Sequence, residues 1–173
     1  MRILGIDPGS RATGYGLIHL EGNRLHHIDN GVIRPPQEFD LAQRLLHIYQ
    51  ELQIIIQQYA PDCSAIEQVF IGSNARSALK LGQARGVAVL SAATADLSVA
   101  EYSPLQIKSA VVGYGLASKS QVQLMVKALL KLPEVAQEDA ADALAVAICH
   151  AHTGSLNRLT TPPRSRTNRG LNR

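Results

Sequence analysis

The feature that most constrains this chain is a short apolar run that carries a carboxylate into a glycine-rich turn. Residues 2–16 read RILGIDPGSRATGYG, and the pattern predicts a buried strand over residues 3–7. An ionised carboxylate in apolar surroundings costs several kcal/mol unless it is paired, protonated or bound to a metal. Asp7 therefore needs a partner or access to solvent.

The residues after the strand allow two interpretations of Asp7. Pro8 and Gly9 end the strand, and Gly9, Gly14 and Gly16 keep side-chain bulk away from the backbone, so that a ligand has room to approach. Alternatively, Asp-Pro-Gly is only a turn in which Asp7 bonds its own backbone. This stretch alone does not decide between them.

Length and composition predict one soluble domain. The chain has 173 residues, of which 46% are hydrophobic, enough for a sizeable core. No run approaches the ~18 apolar residues of a membrane span, and the N-terminus does not resemble a signal peptide, so we expect a cytoplasmic protein. Cys63 and Cys149 lie far apart and are predicted to be core residues.

Charge is distributed unevenly. Residues 154–173 hold five arginines and no acid, and are predicted to be a disordered basic tail after a domain at residues 1–153. Between residues 76 and 131, seven lysines and arginines face two acids. A basic surface beside an acidic pocket would suit a polyanion held against a metal site, although ordinary solvated helix faces give the same counts.

The element order predicts the fold class. Strands are expected at residues 3–7, 13–20, 25–34, 63–67 and 97–102, and helices at 39–59, 75–95, 104–112, 118–132 and 138–152. A meander followed by alternating strands and helices predicts an α/β mixed five-stranded sheet with helices on both faces. Asp7 and Glu67 both end strands, so they converge if these strands are parallel neighbours.

The last predicted helix offers two more acids. Asp139 and Asp142 are at i and i+3, on one helix face. They could simply favour the positive end of the helix dipole. However, the alanines around them would let the helix lie close to a sheet, beside Asp7 and Glu67. Four converging carboxylates need a cation, and oxygen ligands favour Mg²⁺ or Mn²⁺, two of which can activate water for phosphodiester hydrolysis.

Several motifs together resemble one known family. GIDPGSRATGYG, AIEQVF, SALKLGQARGVA, VVGYGLASKSQVQ and DAADALAVAI, in this order and spacing over residues 2–152, resemble the RuvC family of crossover junction endodeoxyribonucleases, which resolve Holliday junctions in bacteria. The resemblance implies a ribonuclease H-like fold, a homodimer with one active site per subunit, and Mg²⁺-dependent paired nicks placed symmetrically across a four-way DNA junction. It also implies the branch-migration proteins RuvA and RuvB as partners.

The resemblance assigns roles to individual residues. The acidic tetrad of the family, which is catalytic and binds metal, falls on Asp7, Glu67, Asp139 and Asp142. Its third position is an acid or a histidine in the family and is an acid here. The DNA-contacting positions of the family match Phe70, Lys108 and Lys119, and its dimer region includes Ala78, Gly82 and Gly86.

Each assignment has a plainer alternative. Phe70 could be a core residue, the lysines ordinary solvated side chains, and the small-residue stripe at Ala78, Gly82 and Gly86 a surface that packs on the protein's own sheet. With the family in view, the glycines after Asp7 are interpreted as room for a DNA backbone beside the metal. Two other functions stay open: a ribonuclease H-like nuclease acting on RNA, and a junction-binding module without catalysis.

Overall fold

The predicted order of strands and helices is confirmed. The computed structural model describes residues 1–68 and 75–160, with side chains described through residue 154. Its elements are β1 (Arg2–Asp7), β2 (Thr13–Glu21), β3 (Arg24–Ile33), α1 (Leu41–Tyr59), β4 (Cys63–Glu67), α2 (Ala75–Ala93), β5 (Ser98–Tyr102), α3 (Pro104–Val112), α4 (Lys119–Leu130) and α5 (Glu138–Thr160).

One helix is longer than expected. The sequence predicts that the last helix ends at residue 152, whereas α5 continues to Thr160. Part of the segment predicted to be a disordered tail is therefore helical. Residues 161–173 lie outside the described part of the chain, and the predicted domain boundary at residue 153 stays a prediction.

The five strands form one mixed sheet in the order β3-β2-β1-β4-β5. β1 pairs antiparallel with β2, and β2 with β3, as expected for a meander. β1 and β4 are parallel neighbours with Ile6 opposite Ile66. Asp7 and Glu67 are the next residues of the two strands, so they lie side by side at the same edge of the sheet. The condition under which the two strand-end acids converge is met.

Side-chain alternation along the strands assigns the two faces of the sheet. Ile3 and Cys63 belong to a core shared with α3, α4 and α5, whereas Leu4 and Ile66 belong to a core shared with α1 and α2. Successive residues of a strand point to opposite faces. Asp7 and Glu67 are an even number of residues from Ile3 and Cys63, so both carboxylates point to the face covered by α5.

Helix α5 lies unusually close to β1 and β2 because both surfaces are small. Six of the buried residues of α5 are alanines, and the strands present Gly5, Gly14 and Gly16. A Cβ atom built on Gly5 would lie 2.0 Å from the Ala143 carbonyl oxygen, and one on Gly14 would lie 1.9 Å from the Asp139 carbonyl oxygen. Such distances are far inside van der Waals contact, so only glycine fits at both positions.

This packing corrects the interpretation of the glycines after Asp7. Gly14 and Gly16 were expected to make room for a DNA backbone, but they make room for α5, since a Cβ at Gly16 would meet the Leu144 side chain at 2.7 Å. Gly9 belongs to the turn itself, where a Cβ would lie 2.3 Å from the Ala12 carbonyl oxygen. The prediction that an alanine-rich helix packs closely on the sheet is confirmed.

A half-buried histidine joins α5 to strands β4 and β5 on the sheet face that α5 covers. His150 Nδ1 lies 2.8 Å from the Tyr102 hydroxyl, and its Nε2 lies 3.4 Å from Cys63 Sγ.

Cys63 and Cys149 are both free and buried, as predicted. Across residues 1–68 and 75–160, the helices are all too short or too polar to cross a membrane.

Candidate active site

The turn after β1 is closed by a threonine, which frees Asp7 for other contacts. Thr13 Oγ1 donates to the Gly9 carbonyl oxygen at 2.8 Å and accepts from the Gly9 amide at 3.3 Å, and Thr13 is fully buried. The turn is therefore stabilised by its own hydroxyl group. The interpretation of Asp7 as only a turn residue loses its basis, because the side chain points towards α5.

The four predicted acids lie near one another at one edge of the sheet. Asp7 ends β1, Glu67 ends β4, and Asp139 and Asp142 occupy the first turns of α5. Burial, and then the negative charges of Asp142, Glu67 and Asp139, raise the pKa of Asp7 to about 7, against the opposing charge of Lys119. Each of these carboxylates is thus close enough to Asp7 to disfavour its ionised form.

The neighbouring carboxylates are perturbed in the same direction. Burial and then the charge of Asp142 raise the pKa of Glu67, while Lys119 and Lys108 lower it. Burial also raises the pKa of Asp142, although a hydrogen bond to Lys119 opposes the change. The edge of the sheet therefore holds partly buried carboxylates whose ionised forms are disfavoured, which is typical of a site that accepts a cation.

Lys119 joins the start of α4 to the start of α5. Its Nζ lies 2.5 Å from Glu138 Oε1 and 2.9 Å from Asp142 Oδ2. Partial burial lowers the pKa of Lys119, but these two hydrogen bonds outweigh burial and raise it overall. Lys119 is the first residue of α4, where the helix dipole disfavours a positive charge, and the two carboxylates offset that effect. Glu138, although exposed, therefore has a partner.

Arg34 is a neighbour of the site that the sequence analysis missed. It follows β3 directly, its Nη2 lies 3.6 Å from Asp139 Oδ2, and its Nη1 donates to Gln137 Oε1 at 3.2 Å. Arg34 and Asp139 are 105 positions apart in the chain, so no local spacing could reveal the contact. The one signal in the sequence was the predicted pairing of β3 with β2. That pairing brings the end of β3 beside Gly14, and Gly14 lies against Asp139.

The four acids have the oxygen donors that Mg²⁺ requires, but their side chains are not positioned to bind one ion together. Within residues 1–68 and 75–154, no group of three His, Cys, Asp or Glu side chains is arranged to hold a metal ion. Asp142 is bonded to Lys119, and Asp139 faces Arg34. Oxygen-only donors with unbalanced negative charge fit a hard cation. Binding would require Lys119 to release Asp142.

A cleft of about 200 Å³ opens beside these acids. Glu67 and Asp142 form its acidic wall, and the two lysines that the resemblance assigns to DNA contact, Lys108 from α3 and Lys119 from α4, also line it. Its apolar lining comes from Pro104, Ile107, Val122 and Ala145. The predicted combination of acids and basic residues therefore meets in one place.

Of the remaining predicted site residues, the structure describes the stripe on α2 but not Phe70. Phe70 falls outside the described residues, so its predicted DNA contact stays a prediction. On α2, Ala78 is half-buried, Gly82 and Gly86 are exposed, and a Cβ on either glycine would meet nothing within 4 Å. The alternative that this stripe packs on the protein's own sheet is wrong, because Ala84, Ala88, Ser91 and Ala92 form the buried side of α2.

The raised pKa of Asp7 predicts an unusual stability profile for the metal-free protein. The folded-state pKa of about 7 exceeds the ordinary value of 3.8, so between these values the folded chain binds more protons than the unfolded chain. The contribution of Asp7 to the free energy of unfolding is therefore present below pH 4 and lost as pH rises to about 7. At pH 8, Asp7→Asn should stabilise the chain by about 2 to 4 kcal/mol.

Urea unfolding in EDTA at pH 5 and pH 8 measures this effect. The gain from Asp7→Asn should be much larger at pH 8 than at pH 5, since the parent carboxyl is largely protonated at the lower pH. Equal gains at both pH values would show that the substitution acts through packing and not through charge.

Comparisons with known proteins identify the family. The family described as crossover junction endodeoxyribonuclease RuvC matches residues 3–150. Proteins of that name are 61% identical in Syntrophotalea carbinolica over 161 residues, covering 93% of this chain and 100% of the relative, and 60% identical in Geobacter sulfurreducens, covering 88% and 93%.

A solved structure agrees with these sequence matches. The structure described as T. thermophilus RuvC in complex with Holliday junction substrate superposes with a TM-score of 0.86 at 30% identity, covering 91% of this chain and 96% of that one. The predicted ribonuclease H-like fold is confirmed. With the family match spanning most of the chain, this protein belongs to the RuvC family of crossover junction endodeoxyribonucleases.

Proposed function

We propose that this chain is a structure-selective endonuclease that resolves Holliday junctions during DNA recombination and repair. The observation that carries the proposal is the meeting of Asp7, Glu67, Asp139 and Asp142 at one edge of the sheet, beside a cleft lined by Lys108 and Lys119. The Thermus thermophilus relative was solved with a Holliday junction substrate, which supports the same substrate here. Acids that suit a metal ion and lysines that suit phosphate are the two parts that phosphodiester hydrolysis needs.

The acidic tetrad approaches the proposed metal site from two sides, the sheet and α5. The strand-end acids Asp7 and Glu67 approach from the sheet, and Asp139 and Asp142 approach from α5, so together they would hold Mg²⁺, two ions in the family pattern, with Mn²⁺ as a substitute. When bound, Mg²⁺ would supply the positive charge that stabilises the attacking and leaving oxygens of an in-line displacement. The chain's own contribution is to fix four carboxylates on three rigid elements, β1, β4 and α5.

The two lysines would orient the substrate. Lys108 lines the cleft beside Glu67, where a phosphate group would be close to the acids. Lys119 is paired with Asp142 and Glu138 in the absence of substrate, and a bound phosphate and a cation would compete for the members of that pair. Lys119 would exchange Asp142 for a DNA phosphate, and Asp142 would exchange Lys119 for the cation. Neither charged group would then be left unpaired.

One assay tests the proposal directly. A synthetic mobile four-way junction, with each strand labelled in turn, is incubated with the protein and Mg²⁺, and the product ends are mapped. We expect nicks at symmetric positions in two opposite strands, and no cleavage in EDTA. Linear duplex DNA and structured RNA serve as competing substrates. Preferred cleavage of RNA would select the ribonuclease alternative, and junction binding without cleavage would select the non-catalytic module.

A homodimer suits the two-fold symmetry of the proposed reaction. Gly82 and Gly86 lie on α2 between Leu79 and Leu90, whose side chains are 66% and 54% exposed. A glycine surface bounded by exposed leucines allows close approach of a second helix and offers apolar area to bury. RuvA and RuvB are proposed partners on family grounds alone.

Substitution of Gly86 tests the dimer without disturbing the subunit. A Cβ at Gly86 has open space, and glutamine favours helix more than glycine does, so Gly86→Gln should leave the subunit at least as stable as the parent. We expect it to weaken dimerisation by about tenfold or more, since overpacking a contact costs on the order of 1 to 3 kcal/mol.

Light scattering after gel filtration, over a range of protein concentrations, measures the change. Ala128→Gln, at an exposed position of α4, controls for adding the same side chain to another helix. A dimer that is equally stable in both variants would place the subunit contact somewhere other than this stripe.

A further inference from the structure

The connection between α3 and α4 exposes apolar side chains beside the cleft. Leu116 is 91% exposed, Tyr114 is 47% exposed, and Leu105, in the first turn of α3, is 61% exposed. Leu105 directly follows Pro104, which lines the cleft. We call these three residues the apolar rim. None of them has a role in the proposed site described above.

The backbone around Leu116 is anchored on both sides. Ala117 is 1% exposed and belongs to the core shared with α5, and Ser118 caps α4 through the Gln121 amide. On the other side, Gly115 lies against Leu105, so closely that a Cβ there would be 2.2 Å from Leu105 Cδ1. Leu116 therefore faces solvent directly before a buried residue and a helix cap, which fix the backbone on its C-terminal side.

An apolar side chain held in this way is typical of a contact surface. Exposing a leucine gives no stability to the isolated chain, because its side chain is favourable only when removed from water.

Charge around the apolar rim indicates what it contacts. Lys119 follows Leu116 by three residues, and Lys108 follows Leu105 by three residues, and both lysines line the cleft. Lysines close in the chain to exposed apolar groups match a nucleic-acid strand, in which phosphates alternate with sugars and bases. Leu105 adjoins Pro104 at the cleft, and Gly115, which directly precedes Leu116, lies against Leu105. The apolar rim is therefore close enough to the cleft to contact a strand whose phosphates face the two lysines.

We propose that the apolar rim, with Leu116 at its tip, packs against the sugars and bases of the DNA strand whose phosphates face Lys108 and Lys119. The proposal rests on the proposed function, since it adds an apolar contact to the same DNA-binding site. The rim would add affinity and orient the strand without reading phosphate charge.

Salt dependence separates an apolar contact from a charged one. Binding of a fluorescent four-way junction is measured by anisotropy in EDTA at several salt concentrations, for the parent, Leu116→Ser and Lys108→Gln. We expect Leu116→Ser to weaken binding about three- to tenfold with an unchanged salt slope. Lys108→Gln should weaken binding and make the slope shallower by about one, because one phosphate contact is lost.

A matched exposed leucine controls for surface hydrophobicity. Leu124 lies on α4, is 59% exposed, and is two residues from Val122, which lines the cleft, so it is on a different helix face. Leu124→Ser should bind the junction like the parent, and thermal melting should show that neither serine variant is unfolded.

The outcomes distinguish this proposal from the proposed function. Weaker binding by Leu116→Ser alone, at constant salt slope, supports the apolar contact. If the parent binds and nicks the junction but Leu116→Ser binds as tightly as the parent, or no less tightly than Leu124→Ser, the apolar contact is overturned and the nuclease function stands. If the parent neither prefers nor nicks the junction, both are overturned.

Discussion

Asp7→Asn is expected to abolish nicking of a four-way junction while leaving junction binding largely intact. Asparagine has almost the same shape as aspartate but carries no charge, so the substitution removes one proposed metal ligand without creating a cavity. Loss of one such group at the reaction centre corresponds to a rate decrease on the order of 10³-fold or more. In the proposed site, binding depends on Lys108, Lys119 and the surface of the cleft, and the substitution leaves these unchanged.

The position of Asp7 makes this the most informative of the four acids. It lies at the end of a central strand, and the charges of Asp142, Glu67 and Asp139 all act on it. Nicking is measured in single-turnover assays with Mg²⁺, and binding of the same junction is measured in EDTA. Because Asp7→Asn is also expected to be more stable than the parent at pH 8, an inactive variant could not be explained by unfolding.

Removal of a different aspartate provides the control. Asp96 is exposed in the turn after α2 with φ of 56°, a conformation that asparagine also tolerates. Asp96→Asn should nick at the parent rate. Normal cleavage by Asp7→Asn would contradict its assignment to the active site, and equal loss in both variants would indicate an effect of net charge.

The positions of the strand-end acids could be predicted from the sequence because strands have a simple period. Asp7 and Glu67 each end an apolar run, and parallel neighbours bring such ends to one edge of a sheet. The acids of α5 could be predicted from the i, i+3 spacing of Asp139 and Asp142 together with the alanines around them. Each inference used residues close together in the chain.

The features that could not be predicted depend on what fills a space or on contacts between distant segments. A glycine indicates only that something comes close, and the sequence does not say whether that neighbour is a ligand or a helix. Gly14 and Gly16 were therefore assigned to DNA when their neighbour is α5. The contacts of Arg34 with Asp139, and of Lys119 with Glu138, join segments whose proximity follows only from the complete fold.

These glycines link the fold to the proposed chemistry. Gly14 lies opposite Asp7 in the β1–β2 register, and a Cβ there would meet the backbone of Asp139. The residue that lets α5 approach the sheet is thus adjacent to one acid of the tetrad and in contact with another. The spacing between the strand acids and the helix acids therefore depends on Gly14 having no side chain.

Gly14→Ala is therefore expected to reduce both stability and nicking. The added methyl group would lie 1.9 Å from the Asp139 carbonyl oxygen and 2.4 Å from its carbonyl carbon. These are backbone atoms, which cannot move without shifting the start of α5. Overpacking of this kind costs about 1 to 3 kcal/mol, and a shift of about 1 Å at a reaction centre lowers rates on the order of 10²-fold.

Glycine at a second position separates this effect from a general cost of alanine. Gly154 lies within α5, and a Cβ there would meet nothing within 4 Å, so Gly154→Ala should keep the parent's nicking rate and be as stable or more stable. Urea unfolding and single-turnover nicking are measured for both variants, with junction binding in EDTA as a test of the DNA-binding surface. If Gly14→Ala unfolds and nicks like the parent, close approach of α5 does not set the geometry of the acids. If it binds the junction normally, loses stability and nicks slowly, the distance between sheet and helix controls catalysis, because the four carboxylates themselves are unchanged.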